Sequence, residues 1–209
     1  MKAAARRQQK STEESSARER ILAAAFEAFM QSGYAAASTL EIASRARVSK
    51  RDLYSLVGNK QQMLIACIAE RSTERLMVPA ELPVPRDRET LGQVLSAFGA
   101  QLLREVSDPI VIGVFRLAIA EVAQAPEVAR TLDSIGRETT RVALRKIMSQ
   151  AQEAGLLEGR PAELAEQFAG LLWRDLLVGL LLGVIERPGP RELAARARDA
   201  TAGFLKIHS

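Results

Sequence analysis

Residues 38–60, STLEIASRARVSKRDLYSLVGNK, constrain the fold more than any other part of the chain. Apolar residues recur there at helical spacing in two short runs, about 39–46 and 50–57, and a serine precedes each run as a possible N-cap. Only Arg47, Val48 and Ser49 separate the runs. So short a connection makes two helices cross steeply instead of lying antiparallel, which is the geometry of a helix-turn-helix whose second helix can enter the DNA major groove.

The spacing also predicts which faces of these two helices are buried. The first helix is expected to bury Leu40, Ile42, Ala43 and Ala46, and the second Leu53, Leu56 and Val57. The second helix keeps polar residues for its other faces: Lys50, Arg51, Tyr54 and Ser55.

The preceding segment predicts a supporting helix. It is expected to begin near Ser16, with Glu19 completing a capping box, and to end at Gly33. Its apolar stripe comprises Ile21, Leu22, Ala25, Phe26, Phe29 and Met30. Residues 1–15 are interpreted as a flexible basic arm, which either tracks DNA or is a disordered tail without a fixed partner.

Downstream, proline and apolar spacing indicate helices only. A fourth helix is expected from Asn59 to Pro79, followed by a proline-rich linker, and further helices at about 88–106, 109–124, 126–154, 161–185 and 190–207. The prediction is an all-α protein of about nine helices. We divide it into the arm (1–15), a helix-turn-helix DNA-binding domain (16–60, with the motif at about 38–57) and a larger helical regulatory and dimerisation domain (61–209).

Charge and composition narrow the class of function. Residues 1–60 contain 11 Lys and Arg against 6 Asp and Glu, so they account for more than the whole chain's net charge of +4. The excess suits a part that meets phosphates, although a chance imbalance on a solvated surface would look the same. The only histidine is His208 and the only cysteine is Cys67, and no metal-ligand spacing or glycine-rich phosphate loop occurs. We therefore expect neither an enzyme nor a metal or cofactor.

The apolar run GLLWRDLLVGLLLGVI at 170–185 is interrupted by Arg174 and Asp175, so it is too short and too charged to span a bilayer. We expect a cytoplasmic protein without a membrane partner, since no signal-peptide pattern precedes the first helix. A nearly all-apolar helix needs cover on several sides. A second copy of the chain would supply it through the last two helices, where Gly179 and Gly183 would let another helix approach.

One family shares a set of these residues at these spacings. The shared residues are Gly33-Tyr34, Ile42-Ala43, Val48-Ser49-Lys50, Leu53-Tyr54 and Asn59-Lys60. In these residues the chain resembles the TetR-type transcriptional regulators. The segments FRLAIAEV, AGLL and AEQFAGLLWRDLL resemble the AefR-type branch. The chain departs from the usual pattern at Arg47, where the family has glycine, and at Arg51, Ser55, Leu56 and Val57.

The resemblance implies a bacterial, nucleoid-associated homodimer that binds an inverted-repeat operator in double-stranded DNA, as a repressor. It implies phosphate contacts from Ser38, Tyr54 and Lys60, with Thr39 and Arg47 as accessory contacts. Exposure on the second helix makes Lys50, Arg51 and Ser55 the candidates for base edges. Asp52 either accepts from a cytosine amine or is a carboxylate near the helix cap that pairs locally.

In the same family, a small molecule enters the C-terminal domain and releases the DNA. We expect a largely apolar pocket, with walls from Phe98, Leu102, Phe115, Met148, Phe168, Leu172 and Trp173 and polar groups from Arg116, Glu121, Arg174 and Asp175. The alternative is that the apolar residues are packed core and the charged residues form ion pairs between helices. The chain would then be a helix-turn-helix DNA-binding protein without an inducer, either architectural or regulated by a partner.

Overall fold

The computed structural model describes residues 2–75 and 83–208, with side chains described for 12–70, 83–134 and 137–208. Every regular element in these ranges is helical, which confirms the all-α class. The chain folds as two compact units. The first unit is Met1–Ser72 with Arg116–Leu132, and the second unit is Thr73–Phe115 with Asp133–Ser209. A segment from the middle of the chain therefore belongs with the N-terminal helices, unlike the linear division at residue 60.

The first unit is built on a long helix. Helix α1 (Lys2–Ala36) packs against α2 (Thr39–Ala46) and α3 (Lys50–Leu56), and α4 (Lys60–Arg75) follows. At Gly33 (φ 77°) α1 leaves helical geometry, at the predicted end of its regular part. Its start at Lys2 corrects the start predicted near Ser16. Residues 2–15 are rich in strong helix formers, and the hydroxyls of Ser15 and Ser16 bond to side chains of the same helix instead of capping it.

The core of the first unit follows most of the predicted stripe. Its fully buried side chains include Ile21, Leu22, Phe29, Ile42, Leu53, Met63, Leu64 and Ile68. Cys67 is buried and its thiol donates to the Leu22 carbonyl over 3.3 Å, so it is a structural residue. Two assignments were wrong, because Met30 and Leu40 are exposed. Met30 lies at the edge of the apolar stripe of α1, and Leu40 lies on the side of α2 that has the exposed Ser44.

The remaining helices are α5 (Arg88–Val106), α6 (Pro109–Glu121), α7 (Pro126–Leu132), α8 (Glu138–Glu153), α9 (Pro161–Trp173), α10 (Leu176–Leu182) and α11 (Pro190–Ile207). The described residues thus contain eleven α-helices instead of about nine. Two predicted helices are interrupted. The helix predicted at 126–154 is divided by a π-helical turn, Asp133–Arg137, and the one predicted at 161–185 is divided at Arg174.

A distant arginine lies at the second interruption. Arg174 has a positive φ (φ 42°, ψ −125°), a conformation outside helical geometry, and α9 ends there. The guanidinium of Arg196, on α11, donates to the Trp173 carbonyl over 3.2 Å and to the Asp175 carboxylate over 3.4 Å. Arg196 thus supplies a hydrogen-bond donor to the carbonyl at the end of α9, where the helical ladder stops.

Gly179 and Gly183, which we expected to admit another helix, both have local roles at the end of α10. Gly179 is buried, and a Cβ atom there would lie 2.2 Å from Cδ1 of Ile185 in the same chain. Gly183 is the left-handed C-cap of α10 (φ 73°). The side chain of Ile185 therefore occupies the space beside Gly179 that we expected another helix to use, and the expectation for Gly183 stays a prediction.

The core of the second unit lies between α5, α8, α9 and α11. Phe168 and Phe204 meet edge to face with ring centroids 5.6 Å apart. A Cβ atom at Gly99 would lie 3.0 Å from Leu172, so glycine permits the close approach of α5. Arg88, the first residue of α5, donates to the carbonyls of Leu205 and His208 and so closes the end of α11.

Helix α5 also has a capping box. The Asp87 carboxylate accepts from the backbone N–H of Thr90 over 2.7 Å, and this bond holds the pKa of Asp87 below its ordinary value.

None of the described helices is both long and apolar enough for a membrane span. Residues 76–82, which include the predicted end of the fourth helix and the start of the predicted linker, lie outside the described residues, and 83–86 have no regular structure.

We expect Phe168→Ala to lower the free energy of unfolding by about 3–5 kcal/mol, because the side chain is fully buried against Phe204 and the cavity would not close. Urea denaturation followed by circular dichroism measures the change. Val142→Ala is the control: Val142 is more than half exposed on α8, so we expect a change within about 0.5 kcal/mol. Equal losses in the two variants would contradict the packed core described here.

Candidate nucleic-acid interface

The turn between α2 and α3 depends on Arg47, which has a left-handed backbone (φ 55°, ψ 47°). Its N–H bonds to the Ser44 carbonyl, and the N–H of Val48 bonds to the Ala43 carbonyl, both over 3.1 Å. This pair of bonds is the Schellman arrangement that normally has glycine at the left-handed position. The turn geometry is thus kept although the chain has arginine there.

The recognition helix, α3, is fixed at its start and from behind. The Ser49 hydroxyl accepts from the backbone N–H of Asp52 over 3.0 Å and donates to the Asp52 carboxylate over 2.6 Å. Leu53, on the inner face, is completely buried. Asp52 therefore has the local capping role, which was one of the two alternatives for this residue.

The outer face of α3 presents the predicted polar residues. Lys50, Arg51, Tyr54 and Ser55 are all exposed. The Lys50 ammonium lies 5.9 Å from the centroid of the Tyr54 ring, within the range of a cation–π interaction. Two cations, a phenol and a hydroxyl on one short helix can contact both phosphates and base edges.

A hydrogen bond connects the start of α2 to this face. The Thr39 hydroxyl and the Tyr54 phenol lie 3.3 Å apart. Ser38 is the N-cap of α2, and its hydroxyl accepts from the N–H of Leu40 over 3.3 Å. The structure thus brings Ser38, Thr39 and Tyr54 together, as one strip beside the recognition helix.

Lys60 is held at the end of α1. Its ammonium donates to the Ala35 carbonyl over 3.0 Å and lies 4.8 Å from the centroid of the Tyr34 ring. Burial raises the pKa of Tyr34, and Glu121 and Glu127 add to the rise. Beside Lys60, Asn59 caps α4 through reciprocal bonds with Gln62 of 2.8 and 2.9 Å, as predicted.

Arg20 also supports the interface, and the sequence interpretation missed it. Its Nε donates to the Ala46 carbonyl over 3.1 Å, one residue before the left-handed Arg47. This bond satisfies a carbonyl at the end of α2 and ties the turn to α1. No local pattern indicates it, because the two residues are 26 positions apart.

The residues proposed as pocket walls are mostly packed together. Five of them are buried in the core of the second unit: Phe98, Leu102, Met148, Phe168 and Leu172. Trp173 is partly buried against that core, and Phe115 is half-buried. Among the polar candidates, Glu121 is buried, whereas Arg116, Arg174 and Asp175 are exposed. A surface recess of about 200 Å³ lies elsewhere, lined by Gln101, Arg104, Glu105 and Asp108.

Two family models match the chain. The model of the bacterial regulatory proteins of the tetR family matches residues 21–67, which include α2, α3 and the turn between them. The model of the C-terminal domain of AefR-like transcriptional repressors matches residues 93–208, more than half of the chain. The chain belongs to the TetR family. Its helix-turn-helix is therefore the DNA-binding motif of a transcriptional regulator, and its second unit is of the AefR-like type.

Relatives of this TetR-family chain match it over most of its length. It is 24% identical over 189 residues to YvkB of Bacillus subtilis, described as an uncharacterised HTH-type transcriptional regulator, covering 90% of this chain and 94% of that protein. A TetR-family regulator from Mesorhizobium loti has a TM-score of 0.80 at 20% identity, covering 94% of this chain and 98% of the other. The flavonoid-responsive regulator FrrA has a TM-score of 0.76 at 26% identity, covering 91% and 96%.

In this TetR-family protein we expect Arg47→Gly to raise the free energy of unfolding by about 1 kcal/mol, since glycine takes the left-handed conformation without steric cost. Thermal and urea unfolding of the full chain measure the change. Ser44→Gly is the matched control on the same helix. It should lower stability by about 0.5 kcal/mol, because glycine is unfavourable inside a helix. Destabilisation by both substitutions would argue against a strained Arg47.

Proposed function

We propose that the chain is a cytoplasmic transcriptional repressor that binds an inverted-repeat operator as a homodimer, with α3 of each subunit in a major groove. One observation carries the proposal. Leu53 is buried on the inner face of α3, whereas Lys50, Arg51 and Tyr54 face outward. Packing therefore fixes one face of the helix, and the other face presents cations. Binding would block access of the polymerase to the promoter without a further contact.

The interface residues divide into two roles. Arg51, Lys50 and Ser55 on α3 would read base edges, and a bidentate contact of Arg51 to a guanine is worth about 1–3 kcal/mol of discrimination. Phosphates would be bound by five residues: Ser38, Thr39 and Lys60 at helix starts, Arg47 at the turn and Tyr54 on the outer face of α3. These contacts fix the position of the protein on the duplex and carry no sequence information of their own.

The direct test is selection of bound fragments from the genome of the source organism, followed by affinity measurements. If each subunit neutralises about four phosphates, log K falls against log salt with a slope near −7, and affinity drops about 10⁴-fold between 50 and 200 mM salt. A chain that selects no sequence, or whose binding does not respond to salt, would contradict the proposal.

We expect Arg51→Ala to relax the preference at one base pair of each half-site, while Tyr54→Phe and Lys60→Ala weaken binding to all sequences alike. The distinction follows from base readout by Arg51 and phosphate contact by the other two. Fluorescence anisotropy against the selected operator and its single-base variants measures both effects. A uniform loss from all three substitutions would show that the reading side of α3 is wrongly assigned.

Exposed apolar side chains on α10, just after it and at the end of α11 support the homodimer. Leu182 of α10 is 71% exposed, and Val178, Val184 and Ile207 are also exposed by more than half. Covering them requires another protein surface, and a second copy places an identical apolar strip opposite each. Two subunits joined in this way would hold two recognition helices for one inverted repeat.

We expect Leu182→Asp to shift the protein from dimer to monomer and to weaken operator binding, since a buried unpaired charge would oppose the interface. Sedimentation equilibrium measures the mass and anisotropy the affinity. Val142→Asp, on the exposed face of α8, is the matched control and should leave both unchanged. A Leu182→Asp chain that stays dimeric would place the interface elsewhere.

We propose further that a small, largely apolar molecule releases the DNA. In support, the 26% identical regulator FrrA is flavonoid-responsive. Because five of the predicted walls are buried in one hydrophobic core, a guest would have to separate them and so change the shape of the second unit. The test is a panel of flavonoids and fatty acids, measured by thermal shift and by release of the operator. A compound that raises the melting temperature and releases the operator supports an inducer, and a panel without such a compound favours a regulator that has none.

A further inference from the structure

Leu40 is the most exposed large apolar side chain of α1 to α4 among the described residues, at 67%. It lies in the first turn of α2, a helix whose inner face buries Ile42, Ala43 and Ala46. Helical spacing places Leu40 on the same side as Ser44, which is also exposed. The packing of the first unit therefore does not account for a leucine at this position.

The surroundings of Leu40 are those of the DNA-binding face. Its N–H bonds to the hydroxyl of Ser38, so its backbone is fixed by the cap. The neighbouring Thr39 lies 3.3 Å from the phenol of Tyr54 on the outer face of α3. Leu40 is thus adjacent to Thr39, whose hydrogen bond with Tyr54 joins α2 to α3. It lies at the end of α2 that is beside the recognition helix.

The major groove offers a single apolar group to such a side chain, the 5-methyl group of thymine. We infer that Leu40 contacts a thymine methyl in each half-site and so specifies thymine at one position of the operator. The inference rests on the proposed function and adds a specificity residue on α2 to those on α3. The contact removes apolar surface of both partners from water, which is its source of affinity.

The test removes that methyl group alone. The full-length protein is titrated with its selected operator, in which each thymine in turn is replaced by deoxyuridine in both half-sites. At one position we expect affinity to fall about fourfold per half-site, as for the loss of one buried methyl group, and about 16-fold for both. At that same position the Leu40→Ala protein should bind the thymine and uracil operators equally.

Three controls make the result specific. Leu40→Met keeps an apolar side chain and should retain the preference for thymine. Met30→Ala, a truncation of another exposed apolar residue, should leave the whole uracil scan unchanged. An unchanged melting temperature of Leu40→Ala excludes misfolding, as expected for a side chain outside the core.

The outcomes separate the inference from the function on which it rests. An operator that is bound specifically but shows no Leu40-dependent thymine overturns the inference and leaves the repressor intact, with Leu40 an ordinary exposed leucine. Sensitivity to uracil that persists in Leu40→Ala overturns it as well. A chain that selects no DNA sequence overturns the proposed function together with the inference.

Discussion

The DNA-binding part depends on the complete burial of Leu53, on a helix that packs against α1 and α2. A helix of seven residues is too short to be stable alone, so tertiary packing must hold it. Ser49 caps its start, and the complete burial of Leu53 fixes its rotation about its own axis. The rotation decides that Lys50, Arg51, Tyr54 and Ser55 face outward. A polar surface for DNA is therefore the consequence of one apolar anchor.

The turn shows how long-range contacts can support a locally unfavourable residue. Arg47 takes a left-handed backbone where glycine would be unstrained. The same turn has two Schellman hydrogen bonds, and the Arg20 side chain satisfies the neighbouring Ala46 carbonyl. Arginine adds a positive charge at the turn, close to the start of α3, that glycine could not provide and that would favour the phosphate contacts that we propose.

The second unit combines a dense core with an apolar surface. Its interior joins α5, α9 and α11 through Gly99 and the pair Phe168 and Phe204, whereas Leu182 and Val184 remain exposed at the end of α10. The break at Arg174, held by Arg196, separates α9 from α10. Because this interior is densely packed, the small molecule that we propose would have to rearrange it instead of filling a vacant space, as a ligand-controlled switch requires.

The sequence by itself determined the all-α class, the helix-turn-helix and its caps at Ser38, Ser49 and Asn59, because these depend on residues no more than four positions apart. It also determined the polar face of α3, through the spacing around Leu53. Only the tertiary structure decided that Leu40 is exposed, that residues 116–132 pack with the first unit and that Arg196 bonds to the end of α9 beside Arg174. The same holds for the five pocket candidates, whose apolar character suits a wall and a core equally well. Helical periodicity specifies which side of a helix is apolar, but which partner covers it depends on contacts between residues far apart in the chain.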